Sequence, residues 1–396
     1  MRITPVLLAG LLAAVSARAA GGATRPVDFS AEIRPLLSAR CFACHGPDEE
    51  SRKAGVRLDS FAEATRPGQG GRRAVVPGRP EESELIRRVT AHDPEDVMPP
   101  PEARNPVKPA EVELLRRWIA QGARYTPHWA WQKPVRPAPP AVRPSRWVRN
   151  GIDAFVVQKL AAAGLAPQPM ADRATLARRL ALDLTGLPAD PAEADRFLSD
   201  RRPDALGRYV DRLLASPHYG ERWARVWLDL ARFADSAGYG SDPLRPNVWP
   251  YRDWVIRALN RNLPYDRFTL EQLAGDLLPG ATEEQQVATA FHRNTMTNTE
   301  GGTDDEEWRV AAVKDRANVT AQVWMGLTLG CAQCHTHKFD PLTQREYYGF
   351  FAFFDQTEDY DQPDERPTLP LYSAAERRRR AELQAEVDRL EAEYRR

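Results

Sequence analysis

This chain has little cysteine, little methionine and no excess of either charge. Its 396 residues include four cysteines and five methionines, and 55 Lys+Arg balance 55 Asp+Glu. A balanced charge excludes the broad basic field on which nucleic-acid binding draws. Beyond the first twenty residues no apolar run approaches the roughly 18 residues that a membrane span needs. Few stretches alternate as strands would, so the expected fold is mainly α. What the chain does have is 34 prolines and ten tryptophans. The prolines imply much irregular structure, and the tryptophans imply aromatic packing around a prosthetic group or a sugar.

The scarce cysteines carry the strongest signal. All four lie in two copies of one motif, Cys41-Phe42-Ala43-Cys44-His45 and Cys331-Ala332-Gln333-Cys334-His335. Cys-x-x-Cys-His is the attachment pattern of c-type haem. The two thiols add to the haem vinyl groups and the adjacent histidine becomes an axial iron ligand. Two covalently bound haem c groups are therefore expected, on Cys41 and Cys44 and on Cys331 and Cys334, with His45 and His335 on the metal. A zinc site built from two Cys-x-x-Cys pairs is an alternative that leaves both histidines unexplained. Short-loop disulfides or a thioredoxin-like redox pair are others.

The N-terminus agrees with haem attachment, which takes place outside the cytoplasmic membrane. Arg2, the short apolar run from Val6 to Val15 and Ala17-Arg18-Ala19 form a secretory pattern, so residues 1–19 read as a signal peptide. No cysteine follows the apolar run to accept a lipid anchor. A periplasmic or secreted protein without a membrane span is expected.

Residues 27–125 have the plan of a small cytochrome c. Phe29, Ile33, Leu36 and Leu37 share a helical face with Ser30 as N-cap, and the helix runs into Cys41. Pro109 to Gln121 reads as a closing helix ended by Gly122. Between them stands Val97-Met98-Pro99-Pro100-Pro101. A thioether is the usual sixth ligand in electron-transfer cytochromes, and Met98 is the only methionine of this segment; His92 competes for the role. The run Cys41 to Pro47, Gly55-Val56-Arg57-Leu58-Asp59, Val76-Pro77-Gly78, Ser83-Glu84-Leu85, Met98-Pro99-Pro100 and Trp118 to Ala123 resembles the planctomycete-type cytochrome c module. That resemblance implies a class I-like haem fold with His45 and Met98 as the axial pair.

Residues 126–149 form a proline-rich linker that disfavours helix and central strand. His128-Trp129-Ala130-Trp131 at its start is expected to dock the linker onto a domain. A second, larger helical domain spans 150–360. Ile152 to Leu160, Arg173 to Leu184, Ala205 to Leu214, Glu221 to Phe233, Trp254 to Leu259 and Glu306 to Trp324 all have helical apolar spacing. Leu182 to Pro188, His218 to Ala224, Trp227 to Arg232, Tyr251 to Val255, Ala274 to Pro279, Phe291 to Thr295, Glu300-Gly301-Gly302 and Cys331 to His335 are similar to the second planctomycete-type cytochrome module. Its members are large secreted proteins suspected of a role in polysaccharide breakdown, and a further large domain usually follows. Residues 375–396, a charged helix with Leu383, Val387, Leu390 and Tyr394 spaced as a seam, read as the start of such a region in a truncated chain.

The sixth ligand of the second haem stays open between His292, Met296 and an unfilled position, with His292 favoured. Met325 is read as core packing, and His337 as second-shell or substrate-facing. His218, Glu221, Arg222, Asp229 and Arg232 fall within one short stretch. They read either as a charged catalytic pocket, with His337 as a further candidate, or as structural salt bridges or a propionate clamp. Asp304 and Asp305 are candidate caps for the helix that follows them.

Three functions follow from these readings. The first is a redox enzyme fed by a redox partner protein or small electron carrier, with polysaccharide or its fragments as candidate substrate. The second is a non-enzymatic electron conduit or scaffold. The third is a hydrolase with structural haem. Di-haem peroxidases match poorly, because the motifs here lie about 290 residues apart, on separate domains.

Overall fold

The computed structural model describes residues 25–49, 51–68, 71–127, 131–143, 147–298, 300–338, 340–358 and 365–395. The expected signal peptide and His128-Trp129-Ala130 lie outside them. The described chain is mainly helical, with two isolated β-bridges and no strand among the described residues. None of its helices is long and apolar enough to cross a membrane. It divides into two compact units, one running to Pro134 and including Lys338, Asp340 and Pro341, the other running from Val135 to His337 and from Leu342 onward.

The first unit opens with a π-helical turn, Phe29–Ile33, that leads into α1 (Arg34–Arg40) and α2 (Phe42–His45). Asp28, not Ser30, caps this start: its carboxylate accepts from the Ala31 N–H at 3.0 Å. Short helices α3 (Phe61–Ala64) and α4 (Glu84–Val89) follow, and α5 (Pro109–Ala120) closes the unit with Pro109 in the first position. Gly122 then takes φ 97°, a conformation that suits a residue without Cβ. The apolar faces of the first and last helices meet: Phe29, Ile33, Leu37, Leu115, Trp118 and Ile119 are fully buried. Phe29, Trp118 and Tyr125 stack at centroid distances of 4.4–5.8 Å.

The proline-rich stretch from 131 to 143 is irregular and mostly exposed. Trp131 stands 50% exposed, so this ring does not dock the linker as expected.

The second unit contains α6 (Gly151–Ala162), α7 (Arg173–Thr185), α8 (Pro191–Ser199), α9 (Ala205–Leu214) and α10 (Pro217–Ala231). After these come α11 (Trp249–Asn260), α12 (Tyr265–Ala274), α13 (Glu283–Ala288), α14 (Asp305–Thr320), α15 (Gln344–Phe351) and α16 (Ala374–Tyr394). Asp304 caps α14 through the N–H groups of Glu306 and Glu307, as its position predicts. Helices α10 and α11 pack closely because α10 turns Gly220, Ala224 and Ala231 inward. At Gly220 a Cβ would fall 2.5 Å from the Ile256 carbonyl oxygen, so only glycine permits this crossing. Asn260 locks it by accepting from the Gly220 N–H (2.8 Å) and donating to the Pro217 carbonyl (3.1 Å). Beneath the crossing, Gln272 Oε1 accepts from both Trp227 Nε1 (2.8 Å) and the Tyr251 hydroxyl (2.7 Å). This satisfies polar groups buried among Trp254, Phe268 and Phe291.

Candidate haem-attachment sites

The first motif is one helical turn set into the core. The Cys41 N–H donates to Leu37 O, and the N–H groups of Cys44 and His45 both donate to Cys41 O at 3.1 and 2.8 Å. Phe42 faces inward and anchors the turn. At Gly46 a Cβ would come within 2.4 Å of Phe42 O, so the chain can leave the helix here only without a side chain. The returning segment satisfies the free helix carbonyls: Lys53 N–H donates to Cys44 O and Leu58 N–H to His45 O, both at 2.9 Å. Tyr125 then donates to Leu58 O at 3.1 Å, which ties the His45 backbone to the aromatic core.

Burial pushes the free Cys41 thiol up to about 12, so it is protonated at neutral pH. An apolar thioether suits the same environment. Burial also lowers the pKa of His45, which favours the neutral imidazole that binds iron. His45 Nδ1 is buried with no protein partner. No three His, Cys, Asp or Glu side chains gather as metal ligands among the described residues. Two thiols and an adjacent imidazole on one turn are a donor set that fits covalent haem.

Met98 is half-buried, whereas His92 is exposed. The Met98 N–H donates to Arg88 O at 3.0 Å. The Arg88 guanidinium grips Asp96 at 2.6 Å and Glu84 at 2.9 Å, and Arg87 joins the same cluster. Hydrogen bonds from Arg87 hold the Glu84 carboxyl down at about 2 against a burial effect in the other direction, with further help from Arg88 and Arg72. The end of α4 thus fixes the loop on which Met98 stands.

The second motif sits on a 3-10 turn, Leu329–Gln333, after a π-helical turn, Ala321–Met325, that continues α14. Leu329 and Ala332 point into a small core with Leu327 and Tyr347. Cys331, Cys334 and His335 point out and are exposed. From α15, Gln344 Nε2 and the Tyr348 hydroxyl both donate to Gln333 O at 3.0 and 3.1 Å. Two thiols and an imidazole on one open turn are a donor set that fits a haem on the outer side. His337 is 3% exposed, and its N–H donates to Leu342 O at 2.8 Å. The His292 ring packs between Phe291 and Phe354, with centroids 5.3 and 5.2 Å away. Met296 is 56% exposed. Met325 is 55% exposed and is not core packing, because the π-helical turn swings it outward at the end of the helix.

The charged residues of α10 do not form one pocket. His218 Nδ1 meets Glu221 Oε2 at 2.7 Å in the first turn, with both side chains exposed. Arg222 packs against Gly186 in the turn after α7. Asp229 is exposed near the other end, and Arg232 has left the helix at φ 59° to pair with Asp315 of α14. From His218 to Arg232 the chain climbs ~20 Å at 1.5 Å per residue, too far for a shared reaction centre.

Residues 151–359, more than half of the chain, match the family model PSCyt2, described as "Protein of unknown function (DUF1549)". The chain belongs to this family. Residues 41–102 match the model described as "Planctomycete cytochrome C". The planctomycete cytochrome match opens on Cys41 and takes in Met98, and the PSCyt2 match contains the second motif. No curated protein and no solved structure matches the chain. Sequence reasoning missed the supports of both motifs, namely Glu84, Arg88 and Tyr125 in the first unit and Gln344 and Tyr348 in the second. None of them lies in a motif whose spacing announces its role.

Proposed function

We propose that this planctomycete cytochrome is an exported two-haem c-type cytochrome in which the two sites divide the work. The observation that carries the reading is the contrast between a motif whose first thiol is buried and whose imidazole is half-buried and a copy whose thiols and imidazole are all exposed. A bound haem supplies a one-electron iron couple whose potential depends on ligands and burial. In the first unit, Cys41 and Cys44 would anchor the group and His45 and Met98 would hold the metal, beside a core that buries Cys41 and Phe42. That is the environment of an electron relay. In the second unit, Cys331, Cys334 and His335 present their group to solvent, where a substrate, a small electron carrier or a redox partner protein can reach it. Polysaccharide-derived molecules are candidate substrates on family grounds alone. The dispersal of His218, Arg222, Asp229 and Arg232 favours a second reading, an electron conduit without its own substrate pocket.

The test is a haem count on the fully matured chain together with a carbon monoxide difference spectrum of its reduced form. Two haems with one binding carbon monoxide support a relay feeding an exchangeable site. Two haems with neither binding it favour the conduit. A matured chain without haem overturns both.

A further inference from the structure

The loop that carries Met98 is held on both sides by arginines, and the downstream one is the residue just before the first thiol. After Met98 the chain makes a 3-10 turn, Pro101–Ala103, and Arg104 reverses it in the left-handed region at φ 50°. The reversal delivers Asn105 to the end of α1. There the two ends of the Asn105 amide do different jobs: Nδ2 donates to Ala39 O at 2.6 Å, and Oδ1 accepts from the Arg40 guanidinium. The other terminal nitrogen of Arg40 donates to Glu111 Oε1 at 2.9 Å. Glu111 in turn accepts from the Lys108 N–H at 2.7 Å and so fixes the first turn of α5. The Arg40 side chain is 17% exposed and that of Glu111 is 24% exposed, so solvent only partly screens this pair.

We propose that Arg40 and Asn105 form a clasp between the end of α1, next to Cys41, and the Met98 loop, and that this clasp retains Met98 on the first haem. The inference rests on the reading of Met98 as that ligand. A neutral thioether binds iron weakly, so its retention depends on how little freedom its loop has to lose. The clasp divides the segment between Met98 and α5 and pins its middle to the end of α1, at the residue before the first thiol. A lysine at position 40 presents a point charge and cannot fork to both partners. An alanine at 105 loses both amide contacts and leaves the Arg40–Glu111 pair in place. Arg40 and Asn105 are thus positioning residues, acting through Met98.

The experiment uses the matured full-length chain, its Met98→Ala variant as reference, and Asn105→Ala and Arg40→Lys as tests. The readouts are the red charge-transfer band of methionine-ligated ferric haem and the binding of added imidazole. Loss of one such tether raises the open population, and with it the imidazole affinity of the first haem, by about tenfold. Asn105→Ala is expected to weaken the band and bind imidazole that much more tightly, with circular dichroism unchanged. Arg40→Lys, which keeps the Glu111 ion pair and safeguards folding, is expected to shift both readouts in the same direction. Wild-type band and imidazole affinity in both variants would overturn the clasp while leaving Met98 as ligand. If the parent's band is absent or survives Met98→Ala, the ligand reading itself falls, and the clasp with it.

Discussion

Cys41 lies 9% exposed beside a buried Phe42, on a helix whose start is locked into the first core. Cys331 and Cys334 face outward from a single turn whose inner side alone, Leu329 and Ala332, is buried. The same five-residue pattern is thus half sunk into one unit, where Cys44 stays exposed, and a surface fitting on the other. The difference lies in what precedes and follows each motif. The first continues a helix that carries Leu36 and Leu37 inward. The second follows a π-helical turn and Gly326 in the left-handed region, which end the helix before the thiols arrive.

The largest effect expected from this contrast is on haem content and folding together. Replacing Cys41 and Cys44 by serine should halve the haem count and lower the melting temperature of the first unit, because a polar hydroxyl replaces a buried group. Replacing Cys331 and Cys334 should halve the haem count with little change in melting. Haem quantification beside calorimetry of each variant reads both, and equal melting losses would break the comparison.

Next in size are the cores beneath the two motifs. Trp118→Ala should cost about 3–5 kcal/mol in denaturant unfolding, since the ring is fully buried among Phe29, Leu115 and Tyr125. Tyr347→Phe beneath the second motif should be neutral or stabilising by about 1 kcal/mol. Its hydroxyl is buried without a protein partner, and burial raises its pKa to about 12. A clear loss of stability in that variant would contradict the packing described.

A pH series separates the supports. Glu84 has a folded value near 2, below an unfolded value of about 4.3. Its contribution is therefore complete above the unfolded value and is lost as pH falls toward the folded one. The first unit should lose stability over that window, and Glu84→Gln should remove this part of the slope. Gln333 of the second motif is held by neutral donors, Gln344 and Tyr348, and by no carboxylate among the described residues. The smallest effect belongs to the exposed His218–Glu221 pair. His218→Ala should change stability by at most about 0.5 kcal/mol.

Most of the helices were legible in the sequence because apolar spacing encodes them locally. α6, α7, α9 and α14 follow their predicted stretches closely, α10 starts four residues earlier than expected, on Pro217, and α5 begins on Pro109 as proline chemistry demands. The helices that escaped, such as α8, α12, α13 and α15, are short or carry their apolar residues without a clear period. Both attachment motifs and the family likewise follow from local order, since thiols, imidazole and spacing are contiguous in the chain. The sequence by itself therefore determined most of the elements, the two Cys-x-x-Cys-His motifs and the family. Only the tertiary structure decided that Cys41 is buried while Cys331 and Cys334 are exposed, that the charges of α10 scatter along its length, and that Arg40 reaches Asn105 and Glu111. Those outcomes depend on burial and on contacts between residues distant in the chain, which no local spacing records.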